Sequence, residues 1–282
     1  MVNLMQSTDD EQAAIWNGPA GRAWVETQDL LNQLFKPFED LLVDAVTDKS
    51  RRRLLDVGCG TGSITLAFVR RFEGQDCCTG IDISGQMIAA ARSRAELEGA
   101  QATFICANAQ TYVFEPAQFD AIVSRFGVMF FNDPVQAFAN LRRSAREGAE
   151  LRLIVWRSAE ENPFMTEAER AATPLLPTLP VRRINGPGQF AFADNGRVRT
   201  LLERSDWGDI VFRPIDVACS IPEKDLNRYL SQLGPVGMAL QEADRETRTR
   251  IIETIRPAFD RYVHGAEVHF TAACLMISAR AA

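Results

Sequence analysis

An aspartate and three glycines alternate at one place in this chain: Asp56, Gly58, Gly60 and Gly62 lie in the run RLLDVGCGTGS. Glycines spaced this closely let a backbone approach a ligand with no Cβ in the way. The spacing argues against two common phosphate sites. A Walker loop needs GxxxxGK followed by Ser or Thr, and no lysine stands at the required place after Gly58 or Gly60. A dinucleotide fold prefers GxGxxG, with the third glycine packed on the helix, whereas here glycine recurs at every second position behind an aspartate. A carboxylate beside the ligand repels a pyrophosphate and accepts hydrogen bonds from an ammonium group. The loop therefore suits a cationic or zwitterionic nucleoside.

Other chemistry-bearing residues are less telling. His264 and His269 are the only histidines, and histidine is the usual general base near neutral pH, but neither lies in a motif and both are read as structural. Tyr229 and Tyr262 carry hydroxyls able to hydrogen-bond a substrate, yet nothing singles them out. The six cysteines, at 59, 77, 78, 106, 219 and 274, form no CxxC pair and no zinc-like spacing. Most fall in apolar, strand-like runs, so they are read as reduced and buried, with no metal site.

The elements that must position the loop follow from periodicity. RLLDV, CCTGIDI, ATFICAN, FDAIVSR and AELRLIVW are nearly continuous apolar runs, as expected of strands covered on both faces. Between them lie amphipathic stretches. One starts at Ser84 as N-cap and stops at Gly99; another has Pro134 in its first turn and Gly148 just past its end. This alternation over residues 53–157 predicts a doubly wound α/β sheet. Residues 8–46 read as helical, with a capping box from Thr8 to Glu11 and a kink or break at Pro37. Residues 158–207 are proline-rich and irregular, the mark of a lid or binding element. A strand-like DIVFRPIDVACSI, helical stretches at about 223–233 and 242–262, and a closing strand EVHFTAACLMISA complete the chain.

At 282 residues with 46% hydrophobic and 24% charged residues, the chain is long enough for a large core. Its net charge of -6, with short basic runs such as Arg51-Arg52-Arg53 and Arg182-Arg183 scattered and offset by acids, argues against a nucleic-acid partner. The acidic N-terminus lacks the apolar run of a signal peptide, and no stretch is long and apolar enough to span a membrane, so a cytoplasmic protein is expected.

These motifs together resemble the class I S-adenosylmethionine-dependent methyltransferases. LLDVGCGTGS is similar to their first motif, with Asp56, Gly58 and Gly60 at its positions. GIDIS resembles the end of their second strand, which places Asp82 on the ribose hydroxyls and Ile83 and Met87 against adenine. CANAQT resembles the third motif, with Asn108 and Ala109 at the adenine edge; Asn108 replaces the family's frequent acid, keeping an acceptor but no charge. FDAIVSRFGVMFF resembles the fourth strand and its loop, which puts Ser124 and Arg125 near the sulfonium centre. WNGPAGRAW and SRFGVMFFNDP bring the chain nearest to the ubiquinone/menaquinone-biosynthesis-type small-molecule enzymes, in which N-terminal helices fold over the cofactor, and Trp16, Arg22 and Trp24 are then candidates for its entrance.

The resemblance covers about residues 50–157 and implies a seven-stranded, mostly parallel sheet with an antiparallel last strand. It also implies S-adenosyl-L-methionine as cofactor and a small, apolar or ring-containing methyl acceptor. Residues 1–48 would form a helical cap and 49–282 the methyltransferase domain, with lids at about 158–207 and 222–264. A sulfonium is already an activated donor, so alignment and a dry pocket carry much of the catalysis, and no catalytic base is read from the motifs. A non-catalytic binder of the same cofactor is the alternative, and an NAD-dependent oxidoreductase is weighed down by Asp56 and the missing GxGxxG. A homodimer is compatible with the surface that residues 158–262 offer.

Overall fold

Five short strands, β1 (Leu54–Val57), β2 (Cys78–Asp82), β3 (Thr103–Cys106), β4 (Phe119–Arg125) and β5 (Ala145–Trp156), pair in parallel in the order β3-β2-β1-β4-β5. The computed structural model describes residues 6–46, 53–72, 78–177, 179 and 186–282. Cys77 and the Arg51-Arg52 and Arg182-Arg183 pairs lie outside the described residues. Beyond β5 the sheet continues through β8 (Glu267–Ala281), antiparallel to both its neighbours, to β6 (Trp207–Pro222) at the edge. The seven-strand path is thus the expected one. A two-residue strand, β7 (Val263–His264), pairs with β8 in addition and holds His264.

Helices α4 (Ser63–Arg71), α5 (Gly85–Glu98) and α6 (Pro134–Ser144) are the crossovers and cover the sheet. Their ends follow local chemistry. Ser84 caps α5 by accepting from the Met87 N–H at 3.4 Å, and Gly99 closes it in the left-handed region at φ 62°. Asp133 caps α6, with Pro134 following. The end of α6 differs from the expectation. The helix stops at Ser144, and Gly148 lies inside β5 at φ 73°. The Arg143 and Ser144 carbonyls accept from Ala117 and Gln118, and Ala145 is already paired with Phe119, so pairing with β4 captures the chain before the helical pattern ends.

The N-terminal region folds into α1 (Gln6–Asn17), α2 (Pro19–Glu26) and α3 (Gln28–Ala45). α1 already runs at Gln6, so Thr8 lies within it rather than capping it. α3 runs unbroken through Pro37. The carbonyl that loses its donor there belongs to Gln33, on the exposed side, which makes the proline tolerable. Leu30, Leu31, Leu34, Phe35, Phe38 and Leu42 form its buried stripe and pack in one cluster with β1, β4 and β5.

The described residues within 158–207 are more regular than their composition suggests. They contain α7 (Pro163–Ala172) and α8 (Asn195–Glu203), each started by a device that tolerates its breaker residue: Pro163 at the first turn, and Asp194 accepting from the Arg197 N–H at 3.0 Å. Phe164 of α7 stacks on Phe270 of β8, ring centroids 3.8 Å apart. The final helical region is α9 (Leu226–Gln232), α10 (Gly234–Gln241) and α11 (Arg245–Ile255), with α10 falling between the two expected stretches.

Phe38 is fully buried among Phe35, Phe126 and Trp156. Because α3 shares the core of the sheet, Phe38→Ala is expected to lower stability by about 3–5 kcal/mol, read in a denaturant melt as a shift of one common transition rather than loss of a separate N-terminal one.

Candidate active site

The strand order reverses between β1 and β4, where ligands bind in open α/β sheets. Two backbones meet there more closely than any side chain permits. A Cβ on Gly58 would stand 2.6 Å from the Gly127 Cα, and one on Gly127 would stand 2.5 Å from the Val57 carbonyl oxygen. Gly58, Gly60 and Gly62 all adopt positive φ, at 68°, 54° and 84°, which is why this turn is written in glycine. The Gly58 and Cys59 N–H groups donate to the Ile81 carbonyl at 2.9 and 3.1 Å, binding the loop to the end of β2.

Asp82 orients that loop. Its Oδ2 accepts from the Gly60 N–H at 2.8 Å and its Oδ1 from the Ser84 N–H at 2.9 Å. A carboxylate oxygen can accept more than one hydrogen bond, so the group has capacity for further donors. Burial raises the Asp82 pKa, opposed by the backbone donors of Ser84 and Gly60. Met87 lies beneath, buried, with its sulfur 3.7 Å from where a Gly60 Cβ would be. Ile83 is half-buried, and its carbonyl accepts from the Asn17 side chain at 3.1 Å.

Asp56 sits deeper, 1% exposed at the end of β1. Its Oδ2 accepts from the Thr65 hydroxyl at 2.7 Å, while its Oδ1 is buried without a partner. Burial pushes its pKa up to about 6, opposed by the Thr65 hydrogen bond and by the charge of Arg125. Arg125 donates from Nη2 to the Ser63 hydroxyl at 2.9 Å, and its Nη1 is likewise buried and unpartnered. Burial lowers the guanidinium pKa to about 10, against the pull of Asp56.

The remaining expected residues fall into different settings. Asn108 caps its own turn: its Oδ1 accepts from the Gln110 N–H at 2.9 Å, which leaves one acceptor site. Ala109 is buried beside it, its carbonyl held by the Asn140 amide at 2.9 Å. Ser124 is turned inward and fully buried, donating to the Val57 carbonyl at 2.7 Å and accepting from the Gly127 N–H at 3.2 Å. It ties the two close backbones together. Trp16 meets Phe130 edge-on at 5.0 Å and Trp24 at 6.0 Å, and Trp24 stacks on Phe35. Arg22 is exposed. Cys59 is buried under the loop and its thiol pKa is raised by burial, but Cys106 is exposed at the tip of β3, contrary to the expectation for it. β3 is the edge strand, and its last side chain has no neighbour beyond it. His264 lies in β7 and His269 near the start of β8, their rings 5.7 Å apart. Among the described residues no cluster of His, Cys, Asp and Glu is placed to hold a metal ion.

Four residues of the site escaped the sequence reading: Ser63, Thr65, Asn17 and Gln86. Ser63 and Thr65 had a signal, being hydroxyls in the first turn after a glycine loop. Asn17 and Gln86 had none. The Asn17 side chain also accepts from the Gly85 N–H at 2.8 Å, and the Gln86 amide donates to the Trp16 and Gly18 carbonyls at 3.2 and 3.0 Å, so the turn between α1 and α2 is clamped onto the loop after Asp82.

A glycine cradle at the switch point, a carboxylate with spare acceptor sites one strand over, and two buried polar atoms lacking partners together fit an adenosyl ligand with a charged amino-acid end. Residues 54–148 match the family model described as a methyltransferase domain. That stretch, about a third of the chain, is therefore similar to a methyltransferase domain. The chain is 34% identical over 128 residues to a demethylmenaquinone methyltransferase of Thermus thermophilus, covering 44% of this chain and 58% of that protein. It is 32% identical over 108 residues to an aklanonic acid methyltransferase of a Streptomyces species, covering 38% of this chain and 49% of the relative. The chain thus spans only half to three-fifths of the length of these curated relatives. The YcgJ protein of Bacillus subtilis shares the fold, with a TM-score of 0.57 at 16% identity over 87% of this chain and 98% of that one.

The buried carboxylate carries a pH signature. The folded pKa of Asp56, about 6, exceeds the ordinary 3.8, so between these values the folded chain binds more protons than the unfolded one. Stability from this group is full below pH 4 and declines as pH rises, the loss being complete above about pH 6 and on the order of 3 kcal/mol. Asp56→Asn should remove that decline, seen as a flatter denaturation midpoint between pH 4 and 6.5 than in the unaltered chain.

Proposed function

We propose that this protein transfers a methyl group from S-adenosyl-L-methionine to a small, apolar or ring-containing acceptor. The observation that carries the reading is Asp82: a carboxylate held by two backbone N–H groups of the loops it joins, with acceptor sites left for a vicinal diol. In this reading Asp82 takes the ribose hydroxyls, Ile83 and Met87 border the adenine, and Asn108 and Ala109 lie at its edge. Gly58 and Gly60 let the backbone approach, and Asp56 accepts from the ammonium end. Ser124 serves by fixing the loop rather than by touching the ligand. Trp16 and Trp24 wall the entrance.

When bound, the cofactor supplies an electrophilic methyl on a positively charged sulfur. The chain's part is to exclude water and to hold the acceptor nucleophile in line. Trp16, Phe130 and Trp24, partly buried and in ring contact through Trp16, suit an apolar ring, and Phe35, Phe126 and Trp156 back them as core. Phe126 is held at φ 64°, in the left-handed region that disfavours side chains, and its ring stacks 4.6 Å from Trp156. The relatives named as demethylmenaquinone and aklanonic acid methyltransferases support a small-molecule acceptor. Within the expected cap of residues 1–48, α1 and α2 take the capping role while α3 belongs to the core, and the segments about 158–207 and 222–264 are the expected lids on the acceptor side. No helix among the described residues is long and apolar enough to cross a membrane, which agrees with a cytoplasmic setting. A homodimer is compatible with this arrangement.

Calorimetric titration should show saturable binding of S-adenosylhomocysteine and none of NAD. Asp82→Ala should weaken it about 10- to 100-fold, the worth of charge-assisted hydrogen bonds to a diol; equal binding by the variant would remove the diol role. Release of S-adenosylhomocysteine in the presence of hydroxylated polycyclic acceptors separates an enzyme from a mere binder. An ammonium requires ionised Asp56, so affinity should be level above about pH 6 and fall roughly tenfold per pH unit below it, a fall that Asp56→Asn abolishes.

A further inference from the structure

Helix α2 is held by two joints of different kinds. One seats it on α5. A Cβ on Gly21 would stand 2.0 Å from the Trp16 carbonyl oxygen and 2.5 Å from the Gln86 amide nitrogen, so this seat admits no side chain there. Asn17 and Gln86 add four hydrogen bonds between the α1–α2 turn and the start of α5 with the loop before it. The other joint runs to α9 and α10. Arg228 of α9 donates to both carboxylate oxygens of Asp29, each at 3.0 Å, and to the Glu26 carbonyl at the end of α2. Gln241, the last residue of α10, donates to the Pro19 carbonyl at 3.4 Å. Arg228 holds the Asp29 carboxyl below the usual carboxylate range, chiefly by its hydrogen bond. The Asp29 side chain is nonetheless 73% exposed, and an ion pair in that setting is weak and screened by salt. α9 and α10 also pack on each other, α9 on α11 and α10 on α7, so they keep apolar neighbours when the joint to α2 parts.

We propose that α9 and α10 form a door on the acceptor side, latched by the Arg228–Asp29 pair, and that the seam between α2–α3 and α9–α10 parts to admit the acceptor while α2 stays seated on α5. Use of the door by an acceptor rests on the methyltransferase reading; the latch does not. Of two joints on one helix, the one made by fewer and more exposed bonds opens first, and that is the joint to α9 and α10. Trp24 lies in the α2 segment bracketed by the Pro19 and Glu26 anchors, and its ring stacks on Phe35. Parting the seam therefore uncovers aromatic surface, which suits an apolar or ring-containing molecule. The asymmetry gives the two ligands separate routes, since the loop after Asp82 keeps its clamp when the latch opens.

The test is amide hydrogen exchange of the full chain, read by mass spectrometry, beside calorimetric titration with S-adenosylhomocysteine. Arg228→Ala should speed exchange in residues 226–241 by about three- to tenfold and leave α4 and α5 unchanged. Asp29→Ala should do less, because Arg228 keeps the Glu26 carbonyl, and the charge-exchanged double variant Asp29→Arg with Arg228→Asp should recover part of the protection. About 0.5 M salt should speed the same residues in the unaltered chain and have no further effect on Arg228→Ala, so the latch is tested even where a variant fails to fold. Acrylamide, a small neutral quencher, should reach more tryptophan fluorescence in Arg228→Ala, and adding Trp24→Phe should remove the increment. Affinity for S-adenosylhomocysteine should stay within about threefold throughout, the separate-route expectation. Unchanged exchange in α9 and α10, or equal acceleration over the whole chain, overturns the latch. Faster exchange without added quenching of Trp24 overturns the door, and a parallel loss of S-adenosylhomocysteine affinity overturns the separate routes. Failure of every form to bind S-adenosylhomocysteine overturns the methyltransferase reading and the acceptor's use of the door, while exchange still decides the latch.

Discussion

Everything at the mouth of this sheet depends on one close approach. The backbones leaving β1 and β4 pass so near each other, at Gly58 and Gly127, that a methyl group on either would overlap the other's main chain. The Ser124 hydroxyl, bonded to Val57 on one side and Gly127 on the other, holds them in that position. With the two backbones fixed, the glycine loop is forced across the top of β2, where Ile81 and Asp82 receive its N–H groups. The same constraint leaves Phe126 in a strained conformation, tolerated because Trp156, Phe35 and Phe38 surround its ring.

The site is costly in isolation, and its cost is electrostatic. Asp56 and Asp82 are both pushed toward protonation by burial, and Arg125 toward neutrality. Burial of like charges near each other is ordinarily avoided. Here backbone donors hold Asp82, whereas Asp56 and Arg125 each keep one atom open. Sites that bind charged ligands are built in this way, with stability given up in the free protein and recovered when the ligand supplies the missing partners.

The N-terminal helices contribute at two levels. α3 is part of the core, since its apolar stripe packs in the same cluster as β1, β4 and β5. α1 and α2 act more locally. The turn between them hydrogen-bonds through Asn17 to Ile83 and Gly85, and receives Gln86, so the segment carrying Trp16 is mechanically linked to the loop that follows Asp82. Opening one disturbs the other. Placement of the segment carrying Trp16 and of the loop after Asp82 is therefore coupled through these hydrogen bonds.

Much of this was legible in the sequence because it is local. Strands buried on both faces read as apolar runs, the Ser84 and Gly99 boundaries of α5 are written in their own residues, and a turn at positive φ demands glycine wherever it folds. Those features alone determined the α/β order, the glycine loop and the acid at the end of β2. Tertiary structure decided what side chains do once strands are paired. Ser124 and Arg125 are neighbours in sequence, yet alternation sends one inward to Val57 and the other to Ser63, 62 residues away. The register with β4 ended α6 early, against its own helical pattern. Asn17 meets Ile83 across 66 residues without any periodicity to announce it. A residue's type sets which bonds it can make, but its partner is set by which distant backbone the fold brings alongside, and only the packed sheet supplies that.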